Sequence, residues 1–205
     1  MPDDQVSSPD GLRETYAMPQ GRAVAKQMDR LDEHCRAFIA LSPFFLLSTA
    51  GADGRLDCSP RGDLPGFVRT PDDRTLLLPD RPGNNRLDSL TNIAENPQVG
   101  LLFLVPGFND TVRVNGRAVI STDAALCAEF AVNGKPARSV IRVTVHEAYF
   151  HCAKALMRSR LWSPDAQQDR TEFTSFSRIL ADQTGEGNAN ESDAEVAERN
   201  RKQMW

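Results

Sequence analysis

Four stretches of the chain carry side chains that could do chemistry. RPGNNRLDSL, from Arg81 to Leu90, sets a Gly-Asn-Asn-Arg turn against the start of an amphipathic run. Unpaired amides at a helix start suit a phosphate or carboxylate, Asn84 or Asn85 can cap them, and Arg86 adds a donor fork. CSPRGDLPGF, from Cys58 to Phe67, brings Ser59 and Arg61 beside Gly62, where backbone can approach a ligand closely. Asp63 is placed to hold Arg61 or to accept from a ligand hydroxyl. In TVRVNGRAVIS, Arg113, Asn115 and Arg117 alternate with Val112, Val114 and Gly116, so they share one strand face. In HCAKALMRSRLW, Lys154 and Arg158 lie four apart on a helical face, with Arg160 and Trp162 at its end. Each stretch alone is also explained by ordinary structure: a capped helix, a loop with a salt bridge, or a solvated basic face.

Several chemistries lack their signatures. No GK[ST] follows the glycine turn and no GxGxxG follows a strand, so neither a Walker loop nor a Rossmann site is supported. No GxSxG elbow supports a nucleophilic serine. His146 and His151 are five apart, which on a continuous strand sends them to opposite faces, and no carboxylate spacing completes a metal set. Cys35, Cys58, Cys127 and Cys152 are widely spaced without a CxxC and read as scattered thiols, as expected of a cytoplasmic protein.

These residues must be positioned by a largely β scaffold. FFLLSTA, the Gly-Ala-Asp-Gly turn at 51–54 and RLDCSP predict a hairpin, and RTLLL at 74–78 a third strand. A helix is expected from about Asn85 to Glu95, stopped by Asn96-Pro97. VGLLFLV, apolar on both faces, predicts a central strand; TVRVNGRAVIS and SVIRVTVHEAYF supply two more. About six strands with short helices predict an α+β fold, mostly β, built on an antiparallel barrel. Helical spacing also predicts a packing helix over 23–40, through Val24, Met28, Leu31, Cys35 and Phe38. Further helices are expected at 124–131, 152–159 and 172–181, and as a charged tail after Ser192. Residues 1–20 read as an arm, 21–183 as one domain with its packing helices, and 184–205 as a linker and helical tail.

The 205 residues carry 24 Lys and Arg against 28 Asp and Glu, a formal charge of −4, which excludes the chain-wide basic field of nucleic-acid binders. The apolar run from Val99 to Val105 falls far short of the ~20 residues a membrane-spanning helix needs. MPDDQVSSPD is acidic and polar, unlike a secretory signal.

Together, the strand ending in SPRGD, the stretch LLLPDRPGNNRLDSLTNIAENPQVGLLF and the strand TVRVNGRA resemble the split-barrel, flavin-nucleotide-binding proteins related to pyridoxamine 5'-phosphate oxidase. The resemblance runs from about Phe38 to Trp162. It is strongest to an uncharacterised bacterial branch of FMN-dependent enzymes in which SPRGD, Gly-Asn-Asn-Arg and Arg-Ser-x-Leu-Trp occur together. It implies a six-stranded antiparallel split barrel and a homodimer with two FMN molecules at its interface. By position, it assigns flavin and phosphate contacts to Ser59, Arg61, Gly62, Asp63, Asp80, Arg81, Asn84, Asn85 and Arg86. Arg113 and Asn115 fall on a later strand used near the cofactor, and Lys154, Arg158, Arg160 and Trp162 are expected to reach the site from the partner chain.

On this reading the turn before Arg86 holds the FMN phosphate. Neighbouring arginines repel one another, a cost that an anion would remove. Where the classical oxidase has an Arg-Lys pair before the helix, this chain has Asn85-Arg86. The tail EVAERNRKQMW does not match that enzyme's pyridoxal-phosphate-binding signature, which points away from pyridoxamine or pyridoxine phosphate as substrate. The implied activity is an FMN-dependent oxidoreductase acting on a small molecule, with no catalytic residue assigned. A flavin-binding storage module, and a split barrel using deazaflavin or haem, remain open beside it.

Overall fold

Apolar side chains give five of the strands a face to bury, the second in chain order carries a polar inward row instead, and all six join in a single sheet. The computed structural model describes residues 5–204. Its strands are β1 (Phe44–Ala50), β2 (Leu56–Gly62), β3 (Thr75–Asp80), β4 (Gln98–Leu104), β5 (Thr111–Ser121) and β6 (Ser139–His151). All pairings are antiparallel, in the order β2-β1-β4-β5-β6-β3. β4 is central, as its apolar run predicts.

The sheet curls around one core. Phe45 and Leu47 of β1, Leu76 and Leu78 of β3, and Val99, Leu101 and Phe103 of β4 point inward, with Val112, Val114, Val143 and Val145. Burying each such side chain fully contributes about 1.5–3 kcal/mol before entropy is counted. Curling brings the two edge strands, β2 and β3, together without a ladder between them: the barrel is split along this seam. Pro79 fits β3 because an edge strand has a side that needs no donor.

A bulge between Asn115 and Gly116 shifts the β5–β6 register. A Cβ at Gly116 would lie 2.2 Å from the Thr144 carbonyl oxygen, so this close approach requires glycine. The extra residue in β6 reverses side-chain parity beyond it. Val145 and Ala148 both face the core, so His146 and His151 both turn away from it, not to opposite faces as a continuous strand would dictate.

The N-terminal part departs from expectation. Pro9–Thr15 (α1), within the expected arm, is helical with no buried residue; residues 1–4 lie outside the described ones. The helix expected over 23–40 is two helices, α2 (Arg22–Ala25) and α3 (Glu33–Leu41). Between them Met28 exchanges backbone hydrogen bonds with Ala148 of β6, at 3.0 and 2.8 Å, where β3 has run out. Asp32 then restarts the helix by accepting from the Cys35 amide at 2.8 Å.

α4 (Asp88–Glu95) packs Ile93 into the core and ends before Pro97. α5 (Ala124–Ala128), α6 (Lys154–Ser159), α7 (Phe176–Thr184) and α8 (Asp193–Gln203) follow. α7 starts later than expected because Arg170–Glu172 forms only a 3-10 turn and Ser175 supplies the cap. A capping box of Ser192 and Glu195 opens α8. Among the described residues no helix is long and apolar enough to cross a membrane.

Candidate functional site

The inner face of the barrel turns polar at the seam. Along β2 the inward positions are Asp57, Ser59 and Arg61, opposite Thr49, Leu47 and Phe45 of β1. On β3, Asp80 continues the inward row of Leu76 and Leu78. Where the strands part, a cleft of about 770 Å³ opens, lined by residues 57–62, Phe67, residues 79–90, Arg138 and Ser139. Eight residues proposed from the sequence line it: Ser59, Arg61, Gly62, Asp80, Arg81, Asn84, Asn85 and Arg86.

Two crossed ion pairs bridge the seam. Arg61 Nη1 donates to Asp80 Oδ1 at 2.7 Å, and Arg81 Nε donates to Asp63 Oδ2 at 2.8 Å. Asp63, expected on Arg61 or a ligand, is thus Arg81's partner; its side chain is only 3% exposed. Arg81 also donates to the Phe130 carbonyl at 2.7 Å, tying the end of β3 to the loop after α5.

The turn before α4 also differs from expectation. α4 begins at Asp88, not Asn85, and neither asparagine caps it. Asn84 Oδ1 accepts from the Arg86 amide at 3.1 Å, closing a local turn. Asn85 and Leu87 both take left-handed backbone, at φ 60 and 61. That conformation is unusual for leucine and marks the turn as strained. Leu87 stands at the cap position without a side-chain hydrogen bond to the helix amides.

The like-charge argument for an anion also needs revision. Arg61, Arg81 and Arg86 each hold a carboxylate, the last through Asp88 at 2.8 Å. The hydrogen bond that Arg86 donates to Asp88, reinforced by the carboxylate's charge, raises the pKa of Arg86. Charge repulsion among these arginines is therefore already offset within the chain. One donor is left over: Arg61 Nε is buried without a hydrogen-bond partner. An acceptor-rich ligand in the cleft fits that donor, the exposed Arg86 fork and the two asparagine amides.

The other expected residues lie apart. Arg113 and Asn115 converge on Glu147 Oε1, at 2.6 and 3.0 Å, on the outer sheet face. The Arg113 guanidinium lies 4.6 Å from the centre of the Tyr149 ring, with Lys26 at 5.3 Å. Nearby, burial lowers the pKa of His151, and the charges of Arg113 and Lys26 lower it further. Lys154 and Arg158 ride on α6, Arg160 pairs with Asp165, and Trp162 Nε1 donates to the Phe108 carbonyl at 2.7 Å. None of these six lines the cleft of its own chain. Among the described residues no group of three or more His, Cys, Asp or Glu side chains could hold a metal ion.

Sequence reasoning missed Asp57, Phe67, Ser89, Arg138 and Ser139. Asp57 accepts from the Ser89 hydroxyl at 2.6 Å, fastening α4 to β2. Arg138 and Ser139 arrive through strand register, since Asp80 pairs with Ser139. Only knowing that β3 pairs with β6 would have found them.

A six-stranded antiparallel barrel, split at its edges and polar at the seam, defines a split-barrel protein. Residues 31–152 match the family model described as pyridoxamine 5'-phosphate oxidase, and the chain belongs to that family. Solved structures to which it is similar include Group A Streptococcus HupZ, at 17% identity and TM-score 0.47, covering 58% of this chain and 91% of that one. An FMN-binding protein from Syntrophomonas wolfei shares 12% identity at TM-score 0.45, covering 57% and 83%. A Clostridium acetobutylicum protein related to general stress protein 26, of the pyridoxinephosphate oxidase family, shares 12% identity at TM-score 0.43, covering 58% and 85%. No curated protein matches the chain.

Proposed function

We propose that this chain binds FMN in the seam cleft and serves as an FMN-dependent oxidoreductase on a small molecule, working as a homodimer. The observation that carries the reading is the cleft itself, in a family named for a phosphate-ester oxidase. It has room for a planar ring and offers a buried, unsatisfied Arg61 Nε beside an arginine-bearing turn. When bound, the flavin supplies the electron transfer, and the protein supplies position and electrostatics.

In this reading Arg86, Asn84 and Asn85 hold the phosphate, and Ser59, Arg61 and Gly62 line the place of the ring. Asp63, Asp80 and Arg81 fix the cleft's width through the crossed ion pairs. The second copy covers the outer face of β1 and β4, where half-exposed Leu46, Leu102 and Leu104 stand beside Ser48 and Gly100. This face is continuous with the cleft rim, because Cys58 pairs with Ser48 and Pro60 with Leu46. Arg113, Asn115, Lys154, Arg158, Arg160 and Trp162 are then assigned to the partner's side of each site.

Purified protein titrated with FMN should quench flavin fluorescence and show flavin absorption, at a solution mass twice 22.7 kDa. Reduction of the loaded protein by NADH or NADPH, followed by reoxidation with small acceptors, tests the oxidoreductase half. A monomer that leaves FMN fluorescence unchanged would remove the proposal.

A further inference from the structure

Arg138 differs from every other arginine in the cleft. It precedes β6, and its backbone amide donates to the Asp80 carbonyl at 3.3 Å, which fixes it opposite the end of β3. Its Nη1 donates to Asn85 Oδ1 at 2.8 Å. Arg61, Arg81 and Arg86 each hold a carboxylate. Among the described residues Arg138 has none, and its side-chain acceptor is a neutral amide.

A guanidinium stays protonated throughout the range in which proteins fold. A cation held by an amide therefore keeps its charge available to whatever enters the cleft, whereas a cation on a carboxylate must exchange one anion for another. Asp57, the remaining carboxylate of the lining, accepts from the Ser89 hydroxyl and is not the partner of Arg138. The same hydrogen bond that positions Arg138 also holds Asn85, a left-handed residue of the turn.

We propose that Arg138 is the residue by which the cleft selects an anionic ligand: its unneutralised charge favours a phosphate ester over the same molecule without the phosphate. This rests on the flavin reading above for the identity of the ester, but not for the anion preference.

The test compares FMN with riboflavin, which lacks the phosphate, by fluorescence titration of the wild type, Arg138→Ala and Arg138→Lys. Arg138→Ala should weaken FMN binding at least about tenfold, the range for a hydrogen bond to a charged group. Riboflavin affinity should change less than twofold, and Arg138→Lys should restore much of the FMN loss. Equal losses for both ligands would make Arg138 only a prop for the turn, and unchanged FMN affinity would also overturn the proposal. Inorganic phosphate is the independent probe, scored as the rise in melting temperature over chloride at equal ionic strength. If the wild type ignores FMN but phosphate stabilises it, and Arg138→Ala abolishes that rise, the selection stands and the flavin reading falls. No phosphate effect on a wild type that also ignores FMN rejects both.

Discussion

Arg86 shows why a single side chain in this cleft needs its partners counted. It is well exposed and rests on Asp88 two residues away, so it can turn to a ligand at the cost of one exposed ion pair. Arg86→Ala should weaken FMN binding by at least ~1.5 kcal/mol, measured by fluorescence titration. Unchanged affinity would take Arg86 out of the site. His151 carries a pH signature instead. Its pKa lies below the ordinary 6.5 because burial and two neighbouring cations disfavour the charged form. The unfolded chain therefore takes up that proton first as pH falls. The histidine's contribution is fully present above pH 6.5 and lost as pH drops from there towards its lowered folded value. His151→Gln should flatten the fall in melting temperature over that window; an identical slope in wild type and variant would contradict the assignment.

At the scale of strands and helices, the seam is the element most exposed to mutation. Asp80→Asn removes the carboxylate from Arg61, whose Nε already lacks a partner, and should destabilise the fold by about 3 kcal/mol in urea denaturation. Replacing both residues with leucine should recover part of that loss, because no unpaired charge then remains; a double variant as unstable as Asp80→Asn would refute the clasp. This seam was only half legible in the sequence. Five of the six strands could be read because their inward positions are nearly all aliphatic or aromatic, a pattern that tertiary packing reinforces; β2, with Asp57, Ser59 and Arg61 inward, was legible only through its hairpin turn. The partners of Arg61 and Asp63 could not, because a short loop suggested they pair with each other while strand curvature offered Asp80 and Arg81 instead. Asn84 and Asn85 looked like caps, yet the left-handed Leu87 delays α4 by three residues. Met28 satisfied a helical spacing by coincidence while its backbone joined β6. Arg138 left no local signal, since it is brought to the turn by register alone.

For the whole molecule, the question is what covers the outer sheet. The half-exposed leucines of β1 and β4 form a continuous face, and small residues at Ser48 and Gly100 let another surface approach closely. If a second copy sits there, Leu102→Asp places a charge in an apolar contact and should convert the dimer to monomer by light scattering. FMN affinity should fall with it, because each site is assigned residues from both chains. A variant that keeps the mass of two chains would place the interface elsewhere.

The absence of a ladder between β2 and β3 carries a further consequence for traffic through the barrel. If FMN is held there as proposed, its passage along that route would break no main-chain pairing, only the two ion pairs that bridge the strands. On that reading, substitutions at the two ion pairs would change how firmly a ligand is retained while leaving the ladders of the other strand pairs intact.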